Sequence, residues 1–171
     1  MDSKITTKKK LFLIADVFMV IALTALDQFT KYLAVLHLEN KPPVILIDGV
    51  LEFMFLKNNG AAFGMLQNQK VFFVIIATAI ILLIAYVLYK MPEDKKYVIM
   101  HVLLVLVAAG AAGNLIDRVR HDYVVDFIYF VIINFPIFNV ADIYVTVSTF
   151  VLVLLFLFYY KESDFGFLKK S

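Results

Sequence analysis

Aspartates set beside or inside apolar runs are the first residues of this sequence that could do chemistry. Five stand so: Asp16, Asp27, Asp117, Asp126 and Asp142. A charge at the centre of a membrane helix costs at least ~2.5–3.5 kcal/mol on insertion scales, so acids in such company need a reason to be there. Asp126 has apolar neighbours on both sides in Val124-Val125-Asp126-Phe127-Ile128, and Asp142 closes Phe138-Asn139-Val140-Ala141-Asp142. Burial raises a carboxyl pKa, and a second carboxylate nearby raises one of the two further. Two such acids can share a proton, leaving one as base toward water and the other as acid toward a leaving amine. The spacing also admits a plainer reading, in which each acid caps a helix or pairs with Lys or Arg alone.

Amides and a guanidinium stand where they could support a carboxylate pair. Asn114, Asp117 and Arg118 follow an i, i+3, i+4 pattern and share one helical face. Asn139 and Asp142 repeat the i, i+3 relation, and Asn can donate to a carboxylate or to a peptide carbonyl. Asp27 and Lys31 form an i, i+4 acid–base couple that is either part of a site or an interfacial salt bridge. Asp16, six residues beyond Lys10, reads as an interfacial acid near Lys8–Lys10.

Other catalysts are excluded. With no cysteine there are no disulfides, thiolate nucleophiles, Cys-based zinc sites or iron–sulfur clusters. His37, His101 and His121 never fall at metal-ligand spacing, so no metal is expected. Ser148 is the one serine inside an apolar run, with no histidine near it in sequence, and no phosphate-binding glycine loop occurs. A net charge of +2 argues against nucleic-acid binding.

The elements that must position these residues are membrane helices. Hydrophobic residues make up 63% of the 171 and charged ones 18%, against roughly 45–50% and 25% in soluble domains. Apolar spans are expected at about residues 11–30, 71–89, 97–116 and 138–160, in one membrane-embedded domain covering 1–171. The run 127–160 would be about 51 Å long as one helix, too long for a core of ~30 Å, and Pro136 breaks it. Its first part, 123–133, is rich in β-branched and aromatic residues and reads as a strand or re-entrant segment. The first span follows three lysines, as a signal peptide would, but Asp16 interrupts it and three spans follow, so a retained helix is expected.

Ten of the 16 basic residues lie before span one, between spans two and three, or after span four. The positive-inside rule then places both termini in the cytoplasm and segments 31–70 and 117–137 outside. The first outer segment carries Asp48-Gly49 between the strand-like runs 44–47 and 50–56, the signature of a hairpin with a two-residue turn. A small extracytoplasmic sheet, joined by 123–130, follows. The expected class is an all-α polytopic membrane protein of four spans with this small sheet at its outer face.

Five motifs now stand in order: Asp27-Gln-Phe-Thr-Lys31, Asn58-Asn-Gly-Ala-Ala-Phe63, Gly113-Asn-Leu-Ile-Asp-Arg118, Val124-Val-Asp-Phe127 and Phe138-Asn-Val-Ala-Asp142. Together, interleaved with four spans, they resemble the bacterial lipoprotein signal peptidases (signal peptidase II), membrane aspartyl proteases. The resemblance implies that Asp126 and Asp142 are the catalytic pair, and that Asp27, Asn58, Gly60, Asn114, Arg118 and Asn139 line or brace the site. It implies a substrate too: a prolipoprotein cleaved before a cysteine that carries a diacylglyceryl group. No cofactor is implied; the partners are that substrate and membrane lipids, with no nucleic acid, and a monomer is expected. The enzyme would sit in the bacterial cytoplasmic membrane with its site near the outer face, the hairpin a cradle and Gly60–Phe63 part of a cover. Asp122 departs from the family, which usually has glycine there; if positive φ is required, Asp tolerates it better than most residues. Readings of other classes are a proton-coupled transporter using the same acids, or a non-catalytic membrane subunit.

Overall fold

The structure is a computed structural model, and residues 6–60 and 69–169 are described. Helix α1 spans Thr7–Leu38, α2 Lys70–Lys90, α3 Val98–His121 and α4 Val140–Phe158; each is long and apolar enough to cross a membrane. At 1.5 Å per residue the 32-residue α1 is about 48 Å long, so it overruns a hydrocarbon core and carries its polar ends beyond it. The short helix α5, Gly166–Lys169, follows the fourth span.

α3 is the central helix. Of its most apolar 18-residue window 44% is buried, against 11–17% for the other three. Small residues make that possible. A Cβ at Gly110 would lie 2.5 Å from the Ala141 carbonyl oxygen and 2.7 Å from Val145 Cγ2, and one at Gly113 would collide with the Asp27 carboxylate. Glycine at these two positions lets α4 and α1 approach the α3 backbone, the way membrane helices pack without a hydrophobic driving force. Outward faces stay apolar: Leu11, Ile14, Phe18, Leu82, Phe150 and Leu157 are exposed, as lipid-facing residues must be.

Strands β1 (Val44–Ile47), β2 (Leu51–Asn58) and β3 (Val124–Phe130) form an antiparallel sheet in that order. The turn between β1 and β2 differs from expectation. It holds three residues between the paired Ile47 and Leu51, and only Gly49 takes positive φ, 67°. Val50 N–H closes it onto the Ile47 carbonyl at 3.0 Å, so one left-handed residue suffices. The segment 123–133 is a strand followed by a 3₁₀ turn at Val131–Ile133. The chain then folds back: Phe138 pairs with Ile128, its carbonyl accepting from the N–H groups of Phe127 and Ile128. α4 therefore starts against the strand that carries Asp126, which brings the two last motifs together.

Two local details bear on the sequence reading. Asp122 caps α3 in the left-handed conformation, φ 69° and ψ −3°, where the family's glycine would stand, and its carboxylate pairs with Lys70. Asp16 lies beside Lys8 and Lys9, as expected, and has a further partner. Its Oδ1 meets His101 Nε2 at 2.5 Å between α1 and α3. That partner lies 85 positions away, out of reach of local pattern.

Candidate active site

Asp126 sits in the middle of β3 and is 1% exposed. The β2–β3 register sets Asn58 opposite Val124, and the Asn58 side-chain amide reaches back to donate to Asp126 Oδ2 at 2.8 Å. Asp142 belongs to the first turn of α4, where Asn139 is the N-cap. Asn139 Oδ1 accepts from Asp142 N–H at 3.0 Å, and Asp142 Oδ2 accepts from Asn139 N–H at 3.1 Å. This reciprocal capping box satisfies two helix-end donors and fixes the Asp142 rotamer at the same time.

The remaining groups converge on these two acids. Asn139 Nδ2 donates to Asp126 Oδ1 at 2.6 Å and to Asn114 Oδ1 at 3.1 Å. Asn114 Nδ2 donates to Asp142 Oδ1 at 2.8 Å. All four carboxyl oxygens of the pair thus receive a donor from Asn58, Asn114 or Asn139. Arg118 donates to the Gly60 carbonyl at 3.1 Å, with its guanidinium 4.6 Å above the Phe73 ring on α2.

Asp126 and Asp142 line one cavity of ≈ 450 Å³ with Asn58, Gly60, Asn114 and Arg118. Its other walls are mostly apolar, from Phe73, Val124, the segment 135–138, Ile143 and Val147. Burial pushes the Asp126 carboxyl up to about 7, and the nearby Asp142 adds to the shift against the pull of Asn58 and Asn139. A carboxyl that stays neutral near pH 7 beside a second carboxylate can give a proton while its neighbour takes one. Among the described residues no group of three His, Asp or Glu is arranged to hold a metal ion.

Six residues singled out in the sequence therefore meet at the cavity wall. Asn139, fully buried, stands directly behind them. Asp27 does not reach the cavity. It is fully buried in a cluster with Lys31, whose ammonium also touches Asp117. The couple Asp27–Lys31 is thus an interior ion pair and not an interfacial one. Lys31 and Asp117 were not among the site residues expected from the sequence, although the i, i+4 spacing and the acid beside Arg118 were visible signals. Phe73 gave no signal, because nothing marks which apolar residue of α2 faces Arg118. Of the expected cover, Gly60 lies at the cavity, while 61–63 fall outside the described residues.

The sequence model of the family described as Signal peptidase (SPase) II matches residues 19–158, an interval that contains every residue of the cavity. The chain belongs to the signal peptidase II family. Similar proteins include a lipoprotein signal peptidase of Streptococcus pyogenes serotype M5 (strain Manfredo), 41% identical over 163 residues, covering 93% of this chain and 99% of that one. The protein of that name from serotype M18 (strain MGAS8232) matches to the same extent. Two solved structures share the fold, each 33% identical. A bacterial membrane enzyme determined by the in meso method at 2.3 Å gives a TM-score of 0.72 over 84% of this chain and 87% of that one. A second, at 1.9 Å, gives 0.73 over 85% and 94%. In this signal peptidase II family member the cavity joins a buried carboxyl, Asp126, to a partly exposed one, Asp142, beside mostly apolar walls.

Proposed function

We propose that this chain is a membrane aspartyl endopeptidase that removes the signal peptide from diacylglyceryl-modified prolipoproteins, cutting before the lipidated cysteine. The observation that carries the reading is the joint attachment of Asp126 and Asp142 to Asn139 at one cavity. Family membership supports the substrate class.

Asp126, whose carboxyl is pushed up to about 7, is the acid, and Asp142 is the base. Asp142 takes a proton from water, whose oxygen adds to the scissile carbonyl carbon while Asp126 protonates the carbonyl oxygen. Collapse of the tetrahedral diol breaks the C–N bond. The leaving nitrogen takes the proton held by Asp142, and a diol hydroxyl returns one to Asp126. Asn58 and Asn114 keep the two carboxylates aimed at the cavity, and Arg118, steadied by Phe73, offers its donors to substrate carbonyls. The apolar walls receive the lipidated segment.

By the positive-inside rule both termini face the cytoplasm, so the sheet and the cavity lie at the outer surface of the cytoplasmic membrane. A protease so placed meets its substrate as the signal peptide ends and the lipid begins. The test is cleavage of a synthetic precursor peptide, lipidated and unlipidated, by purified protein. Asp126→Asn and Asp142→Asn each lose at least about 10³-fold in kcat, since neither variant can complete the proton cycle. Turnover near the parent level in either variant sinks the mechanism.

A further inference from the structure

Lys31 is buried at 2% exposure, lines no part of the cavity, and spends all three of its N–H donors on three oxygens. These are Asp27 Oδ2 at 2.9 Å, Asn114 Oδ1 at 2.9 Å and Asp117 Oδ2 at 3.0 Å. Each partner is tied in turn to one of the two carboxylates of the site or to its neighbour. Asp27 Oδ1 accepts from the N–H of Ala141, the residue just before Asp142, at 2.9 Å. Asp117 Oδ2 accepts from the N–H of Val125, the residue just before Asp126, at 3.1 Å. Asn114 donates to Asp142 itself. One ammonium therefore stands behind both carboxylates, with a matching link to the backbone on each side.

We infer that Lys31 is a positioning residue for the Asp126–Asp142 pair, acting through the amide of Asn114 and through Asp27 and Asp117. The Asn114 amide shows how. Its oxygen and nitrogen ends have nearly the same shape, so shape alone does not choose between them. An ammonium only donates, so it accepts the oxygen end and rejects the NH₂ end. With Oδ1 turned to Lys31 and Asn139, Nδ2 must face Asp142. The reverse orientation would set an amide oxygen against a carboxylate. Asp27 and Asp117 do the same for the backbone, because Lys31 holds each carboxylate where it accepts from the peptide N–H beside an acid of the pair. Gly113 makes room for this, since a Cβ there would occupy the place of the Asp27 carboxylate.

This inference rests on the proposed roles of Asp126 and Asp142, and the experiment separates the two. Lys31→Met combined with Asp117→Asn keeps the net charge of the buried cluster, and the amide oxygen introduced by the second change can still accept from the Val125 N–H. Removing the lysine alone would strand two buried carboxylates. The double variant still leaves the buried Asp27 without its cation, so it is expected to insert but to melt below the parent. Assayed as folded protein, it keeps KM within about two-fold while kcat falls about 10- to 100-fold, the scale of a misplaced catalytic group. Lys31→Arg retains the cation and gives a second reading. A planar fork cannot bring one nitrogen to three convergent oxygens, so its kcat falls at least about three-fold at unchanged KM. Parent kcat in either folded variant overturns the inference while leaving the carboxylate pair intact. Parent turnover in Asp142→Asn overturns the pair itself.

Discussion

Asn139 donates its side-chain amide to Asp126 at 2.6 Å while capping the helix that begins with Asp142. One residue thus joins the strand-borne acid to the helix-borne one. A capping box ordinarily stabilises a helix terminus; here its N3 acid is also a member of the proposed pair, so helix geometry and carboxylate geometry are one arrangement.

Asn139→Ala removes the cap and both amide contacts. Loss of the N-cap lowers stability by about 1 kcal/mol, and losing the donors to Asp126 and Asn114 lowers kcat by at least about 10²-fold. Asn139→Asp keeps the cap but sets a third carboxylate against Asp126 at a fully buried position, so it melts below the parent and turns over poorly. Thermal melts and lipopeptide cleavage, run on both variants, separate the two contributions.

Activity should fall as pH rises through about 7, where Asp126 gives up the proton that the pair shares. Stability follows the same group. An unfolded Asp titrates near ~3.9, so between about 4 and about 7 the folded state holds a proton that the unfolded state lacks. That stabilisation is complete below the unfolded value and is lost as pH climbs to about 7. Asp126→Asn should therefore be inactive, and its melting point should depend less on pH over that window. A parent melting curve that rises from pH 5 to 8 as steeply as the variant's would contradict it.

Asp122 holds positive φ, and Asp122→Gly relieves that backbone cost, about 1 kcal/mol or less for Asp. The exposed pair with Lys70 is lost at the same time, and such pairs contribute roughly 0–1 kcal/mol. A melting point unchanged or raised by a degree or two is expected. Asp122→Val, β-branched at the same φ, should lower it clearly and disturb the start of β3. Comparing the two melts isolates the backbone requirement.

Much of the fold could be read before any coordinates. The four spans follow from hydropathy and length, the break at Pro136 from proline chemistry, and the reading of 123–133 as a strand or re-entrant segment from β-branching, with Val124–Phe130 the part that is strand. The same local logic misjudged the hairpin turn, because Asp48-Gly49 admits a turn with one left-handed residue as well as one with two. It set Asp16 beside the lysines but missed its hydrogen-bond partner His101, which stands on another helix. The Asp27–Lys31 spacing was legible, but its burial was not.

The sequence by itself determined the membrane setting and the shortage of nucleophiles other than water, and through five ordered motifs it singled out the two acids of the proposed pair. These depend on composition and on neighbours a few positions apart. The tertiary structure alone decided that Asn139 faces Asp126, that Asn114 turns its nitrogen to Asp142, and that Lys31 meets Asn114, Asp27 and Asp117 together. Lys31 and Asn114 are 83 positions apart. They meet because Gly110 and Gly113 let α1 and α4 close on α3, and because Phe138 folds back onto β3. Such contacts follow from how helices and strands pack, which no local pattern encodes.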